Sequence, residues 1–288
     1  MGSFEPVPEA TRRANERDDQ TYDDDRARLA ARDLRASRVS GLQFDKLPDE
    51  LRPPSLADGY RVQRIGRDGL ERGGFGRQGG WKIGCTTSVM QQYLHVESPV
   101  SGGMHRDTMW QGHHRFQVSP PRVFGVECEI AVRMACDLRG RDEDYAFDEV
   151  AESVAAAMAA IEIVEDRYVD FQSLDVPTLV ADDFFHYGCV VGALNEALDP
   201  RKLRDAAATM HINGNLVGEG QGTDILGDPL TALTWLVNHC ASLGTPVLAG
   251  DVALLGSVVQ TQWVVPGDYV EVHNSMLGNV TASFEAHP

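Results

Sequence analysis

Apolar and polar positions alternate most clearly in Gly125-Val126-Glu127-Cys128-Glu129-Ile130-Ala131-Val132. Successive side chains of a strand face opposite ways. The pattern therefore predicts a strand with Val126, Cys128 and Ile130 on one face and Glu127 and Glu129 side by side on the other. A second apolar run, Ala160-Ile161-Glu162-Ile163-Val164, carries an acid at its centre, and Trp81-Lys82-Ile83-Gly84 sets a lysine inside an apolar strand. His186 to Leu194 reads as a glycine-punctuated strand. Leu203 to Val217 reads as a strand pair turning at Asn213-Gly214, a hairpin signal. Pro266-Gly267-Asp268 marks a turn between two further strands, and Val280, Ala282 and Phe284 alternate inward on the last one.

Helical spacing is thinner. Thr21 to Ser37 offers only Leu29, Ala30 and Leu34, which predicts a surface helix or docking arm. Ser55 to Gln63 reads as a helix capped by Ser55 with Asp58 three residues on. Phe147 to Ala160 predicts an alanine-rich helix with Glu162 at its exit. Asp228-Pro229-Leu230 to Leu243 predicts an amphipathic helix with Pro in its first turn and Leu230, Leu233, Leu236, Val237 and Cys240 on one face. Residues 1–20 read as a frayed polar tail, and 98–103, 104–121 and 218–227 as loops. The chain divides into a tail and helical arm, 1–54, and a larger domain, 55–288.

Composition narrows the class. The 288 residues are enough for a substantial core, and 42% hydrophobic with 24% charged residues is the balance of a globular protein. A formal charge of −17 argues against nucleic acid, which needs clustered basic residues, and against anionic lipid. No apolar run reaches a membrane span and the first residues are not a secretory signal. Five scattered cysteines, 85, 128, 136, 189 and 240, form no zinc pattern and read as reduced thiols of a cytoplasmic protein. Gly74-x-Gly76-x-x-Gly79 matches a dinucleotide fingerprint only formally, because it precedes a strand instead of joining a strand to a helix. His105-Arg106-Asp107 lacks the companions of a kinase loop.

The acids carry the chemistry. An acid inside an apolar run is costly to bury unless it is paired or binds metal. Glu127, Glu129 and Glu162 converging on one pocket would make a site for a hard divalent cation. The same Glu-x-Glu also fits the wet face of a half-exposed strand. Lys82 has two readings as well: an amine whose apolar neighbours lower its proton affinity, fit for acid–base work, or a lysine snorkelling from a strand edge.

The order of Gly80-Trp81-Lys82-Ile83-Gly84, Gly125 to Ala131, Ala160 to Val164 with Arg167, Val180-Ala181-Asp182, Gly222 through Pro229-Leu230 and Pro266-Gly267-Asp268 resembles the fumarylacetoacetate hydrolase superfamily. Within it, the chain is similar to the 2-keto-4-pentenoate hydratase and 4-oxalocrotonate decarboxylase group. The resemblance implies an α+β fold, a curved mixed β-sheet roll with outer helices and a small N-terminal helical part. It implies Glu127, Glu129 and Glu162 as ligands of Mg2+ or Mn2+, Lys82 as the acid/base, Asp182 as a further catalytic acid and Arg167 as a substrate-binding residue. The implied activity is a lyase that hydrates a small 2-hydroxydienoate or 2-keto-enoate in aromatic catabolism, with decarboxylation of a 2-keto acid as the alternative. Hydrolysis of an acylpyruvate would call on His105, His113 or His114, and a catalytically silent scaffold subunit is an alternative of another class. A homo-oligomer is expected, with an enzyme of the same pathway as a candidate partner. Val100 stands where hydratases tend to carry an acid, Asp183 where Asn is common, Asp228 where His precedes Pro, and Leu255 where Thr is common. All four are expected at the pocket rim.

Overall fold

A computed structural model of the protein describes residues 22–94 and 96–287. The predicted tail, 1–20, lies outside the described residues. In chain order the elements are α1 (Asp24–Ser40), α2 (Leu56–Leu70), β1 (Gln78–Gly84), α3 (Ser88–Leu94), β2 (Val100–His105), β3 (Met109–Gln111), β4 (His113–Val118) and β5 (Val123–Met134). There follow α4 (Phe147–Glu152), β6 (Val154–Asp166), α5 (Val176–Ala181), β7 (His186–Val191), β8 (Ala207–Ile212), β9 (Asn215–Gln221) and α6 (Pro229–Ser242). The chain ends in β10 (Val252–Ser257), β11 (Gln262–Val264), β12 (Tyr269–Asn274) and β13 (Gly278–Ala286).

The strands form two sheets. The larger runs β2-β1-β10-β5-β6-β7-β3 with β11 beside β5, and the smaller runs β4-β13-β12-β8-β9. Both are mixed: β1–β10, β3–β7 and β4–β13 are parallel and the other pairs antiparallel. One continuous core contains Val126, Cys128, Ile130, Ile161 and Ile163 of the large sheet and Val270, Val272, Val280, Ala282 and Phe284 of the small one. The alternation in β5 therefore has its predicted outcome: the apolar set faces the second sheet and Glu127 and Glu129 leave the opposite face. Met104, Ala131, Met158, Ala160, Cys189 and Leu254 form a separate apolar cluster. By strand periodicity these residues share the acids' face.

The helices follow their caps. Ser55 accepts from the Asp58 N–H at 3.2 Å and starts α2. Asp228 accepts from the Leu230 N–H at 2.9 Å and starts α6, whose Leu230, Leu233, Leu236, Val237 and Cys240 are all buried as their spacing predicts. On α1 the buried stripe is Ala27, Ala30, Ala31, Leu34 and Arg38, while Leu29 is exposed. The alanines pack into an apolar cluster with Val62 of α2 and Ala181 of α5.

Four local expectations are corrected. The predicted helix 147–160 stops at Glu152, and Val154 onward is the central strand β6, hydrogen-bonded between β5 and β7. Its alanines from Ala156 onward are buried on both faces. An apolar run without alternation does not distinguish helix from strand, and the neighbouring strands decide it despite alanine's helical preference. The loops expected at 98–103 and 104–121 contain β2, β3 and β4, and β9 extends to Gln221 inside the segment expected to be a loop from 218. Among the described residues no helix is long and apolar enough to cross a membrane.

Candidate active site

Glu127 pairs with Glu162 across β5 and β6, and Ala160 pairs with Glu129. This register brings all three acids to one place: one oxygen from each lies within 4.8 Å of the others. Glu162 is fully buried and Glu129 is 2% exposed, whereas Glu127 is only half-buried and marks the open side. Lys82 faces them from β1, two strands from β5 and three from β6, with its Nζ 3.2 Å from Glu162 Oε1.

Each acid has a dedicated support. Glu127 accepts from the Thr261 hydroxyl. Glu129 Oε2 accepts from the Gly256 N–H at 2.7 Å. That amide is aimed by a register shift in the β10–β5 pairing, where Leu254 faces Ala131 but Ser257 faces Glu129. Gly256 has φ +136°, and a Cβ there would lie 2.5 Å from Thr86 Oγ1, so the position requires glycine. Glu162 Oε1 also receives His186 Nδ1 at 2.9 Å.

Glu129 Oε1 and Glu162 Oε2 are buried with no hydrogen-bond partner in the protein. Buried carboxylate oxygens need a donor or a cation. Burial pushes the Glu129 carboxyl well above the usual range, and the charges of Glu162 and Glu127 add to it. Burial likewise raises Glu162 against the pull of Lys82, and raises Glu127 together with the charge of Glu162. Three hard oxygen donors that resist joint ionisation and keep two oxygens unpaired fit a divalent cation.

Lys82 corrects one expectation. Burial does work against its charged form, yet Glu162, Glu127 and Glu129 outweigh it, and the amine holds its proton more tightly than an ordinary lysine. Its apolar surroundings are real, with Phe184 under the ammonium at 5.2 Å from the ring centroid. The acids set the sign.

Asp182 and Arg167 are brought together one layer behind. Arg167 donates to Asp182 Oδ2 at 3.1 Å and to the His186 carbonyl at 2.7 Å, and Tyr168 donates to the same Asp182 oxygen at 2.8 Å. Arg167 is 4% exposed and its partners are internal. His113 and His114 lie on β4 in the other sheet, His113 against Thr281 and His114 stacked on Trp110 at 3.9 Å. His105 is buried and bonded to the Gly76 carbonyl. The histidine at the acids is His186, whose imidazole is held neutral well below its usual range by burial and then by the charges of Arg38 and Lys82. Nδ1–H donates to Glu162, and Nε2 is buried without a partner. Nothing in the local sequence sets His186 apart.

Of the four departures, Leu255 lies in the inter-sheet core instead of at the rim, and Asp228 caps α6. Val100 is buried beside Tyr60, Cys85 and Phe184, and Asp183 is paired with Arg38.

A mixed-sheet fold with three clustered carboxylates and a buried lysine on one face defines a class of proteins able to hold a hard cation beside a buried amine. The chain belongs to the fumarylacetoacetate (FAA) hydrolase family, whose C-terminal sequence model matches residues 93–285. It is similar to a 2-keto-4-pentenoate hydratase of Burkholderia vietnamiensis strain G4, with 31% identity over 90% of this chain and 97% of the relative. It is also similar to a 4-oxalocrotonate decarboxylase of Pseudomonas putida, with 27% identity over 88% of this chain and 95% of the relative. In fold it is similar to the 4-oxalocrotonate decarboxylase of Pseudomonas putida G7, solved in complex with magnesium and adipate. The TM-score is 0.83 at 24% identity, over 92% of this chain and all of that one.

Proposed function

We propose that the protein is a divalent-metal-dependent lyase that hydrates a 2-hydroxydienoate such as 2-hydroxypenta-2,4-dienoate to a 4-hydroxy-2-keto acid. The observation that carries this reading is the placement of Lys82 Nζ at 3.2 Å from a carboxylate that also faces the cation site. Similarity to hydratases over nine-tenths of the chain supports the substrate class.

Glu127, Glu129 and Glu162 would hold Mg2+ or Mn2+, which when bound supplies Lewis-acid stabilisation to the negative charge that develops on the substrate's 2-oxygen. The half-buried Glu127 leaves the approach for the substrate on its side. Lys82 carries the proton. The 2-hydroxyl proton leaves as a proton is added at the terminal carbon, converting the dienol to the conjugated enone. Water oxygen then bonds to C4 and its proton ends on C3, so that atoms balance with no further reactant. The buried walls around Lys82 exclude other water from the proton path. His186 fixes the orientation of Glu162, and Arg167 and Asp182 act from behind by fixing His186.

A second reading is decarboxylation of a 4-oxalocrotonate-type 2-keto acid. Val100 favours it, since this position offers no acid. The protein incubated with 2-hydroxypenta-2,4-dienoate and Mg2+ should consume the dienol absorbance with no carbon dioxide. Stoichiometric carbon dioxide from an oxalocrotonate, with the dienol untouched, would replace hydration by decarboxylation.

A further inference from the structure

The segment Asp182–His186 touches both halves of the site. Asp183, Phe184 and Phe185 have φ of 55°, 49° and 66°. This left-handed backbone is costly for residues with a side chain and persists only where the surroundings over-determine it. Three in succession need anchors on either side. Asp182 is held by Arg167 and Tyr168. Asp183 is held twice: Oδ1 accepts from the Gly103 N–H at 2.7 Å, and Oδ2 accepts from the Arg38 guanidinium at 2.6 Å.

Arg38 comes from α1, 145 residues earlier, and is 2% exposed. Its guanidinium also lies 5.4 Å from the Phe75 ring centroid. A buried arginine at the end of an alanine stripe is not needed to pack that stripe. Its partner in the domain is the first residue of the left-handed turn. The turn presses on β2 so closely that a Cβ at Gly102 would lie 2.6 Å from the Asp183 carbonyl oxygen, and Gly102 is the β-partner of Lys82. Within the turn Phe184 lies against the Lys82 ammonium, and just beyond it His186 is bonded to Glu162.

We infer that Arg38 is a positioning residue for the reaction: its buried ion pair with Asp183 holds the left-handed turn that sets Phe184 on Lys82 and His186 on Glu162, so that the N-terminal helix completes the active site. The kinetic consequence rests on the proposed hydratase reading; the geometric one does not. An arginine that only tied α1 to the domain would affect melting temperature and leave turnover per folded molecule and the shelter of Lys82 unchanged.

The full chain is compared as wild type, Arg38→Met, Arg38→Lys and Asp183→Asn. Two quantities are measured: steady-state hydration of 2-hydroxypenta-2,4-dienoate with Mg2+, and the rate of Lys82 acetylation by acetic anhydride, followed by mass spectrometry without substrate or metal. Arg38→Met and Asp183→Asn should lose about 10- to 100-fold in kcat, with KM within about threefold. Lys82 should acetylate faster in both, and Arg38→Lys should recover part of each effect. Where Arg38→Met does not fold by circular dichroism, Asp183→Asn decides, since its amide oxygen still accepts from Gly103. Folded variants with wild-type kcat and wild-type Lys82 protection overturn the inference. A wild type that leaves the dienoate untouched, while Lys82 still becomes reactive in the variants, sinks the hydratase reading and supports the positioning role.

Discussion

Glu162 Oε1 stands 3.2 Å from Lys82 Nζ and 2.9 Å from His186 Nδ1, with all three side chains sealed from solvent. One oxygen thus serves an amine and an imidazole, and the other, Oε2, is left without a partner at the cluster of acids. In the proposed mechanism Glu162 is the joint between proton carrier and cation site. A change at any of its neighbours should be read in both metal affinity and turnover, and the two readouts separate the roles.

Lys82→Met should lower turnover by about 10²- to 10⁴-fold, the range for loss of a positioned acid or base. Mg2+ affinity should hold or tighten, because a positive charge leaves the side of three carboxylates. Steady-state kinetics and calorimetric titration of Mg2+ measure the two effects. A variant that keeps more than about a tenth of kcat would show that the proton travels through another group.

Glu129→Gln replaces a buried carboxyl whose ionisation is opposed by burial and by Glu162 and Glu127 in the absence of metal. The metal-free variant should therefore melt no lower than the metal-free wild type. It should also lose the stabilisation that Mg2+ gives. At about 100 times its dissociation constant a ligand contributes about 2.7 kcal/mol, roughly 5 °C or more for a chain of this size. Thermal melts with and without MgCl2 test both statements. An equal Mg2+ shift in the two proteins would remove Glu129 from the ligand set.

Gly256→Ala combines a φ of +136° with a Cβ contact to Thr86 and disturbs the amide that holds Glu129. The backbone cost alone is about 1–3 kcal/mol. Melting temperature should fall by several degrees and Mg2+ affinity should weaken in the same variant. A melt that matches the wild type would mean that β10 relaxes to admit the side chain.

The acids were legible in the sequence because strand periodicity is local: Glu127 and Glu129 share a face by counting residues, and Glu162 sits visibly inside an apolar run. Helix α6 was legible for the same reason, from its cap and spacing. The order of the motifs named the family. What surrounds the acids was not legible. His186 and Arg38 acquire their roles from partners 24 and 145 residues away, and no local pattern records them, although residue 38 does continue the buried stripe of Ala27, Ala30, Ala31 and Leu34. The glycines of Val100-Ser101-Gly102-Gly103 read as a loop, yet they lie in β2, paired with β1, where the backbone at Asp183 comes too close for a side chain at Gly102. The alanines of β6 read as helix because their neighbours β5 and β7 are invisible to a window of residues. The sign of the Lys82 shift is not legible in the local sequence because it depends on three acids that only the fold brings near.

His239 gives the protein a pH-dependent stability that is separate from the acids. It sits in the last turn of α6, stacked on Trp235 at 4.8 Å between ring centroids and edge-on to Tyr60 at 4.5 Å. Its Nε2 is buried without a partner. Burial pushes the imidazole down to about 4 from its ordinary 6.5, since a proton on that nitrogen would be a buried donor with nothing to receive it. Below pH 6.5 the unfolded chain takes up a proton that the folded chain refuses until about pH 4. The unfolded state binds more protons in this window, so unfolding free energy rises with pH across it. The contribution is fully present above pH 6.5 and is lost as pH falls towards 4. Its size is on the order of 1–2 kcal/mol once solvent screening at the exposed edge is allowed for. His239→Phe keeps an aromatic ring in the stack and removes the titration. Its melting temperature should therefore fall less steeply than that of the wild type between pH 6.5 and 4, with the two curves parallel above pH 7. Parallel curves over the whole range would assign the acid sensitivity to other groups.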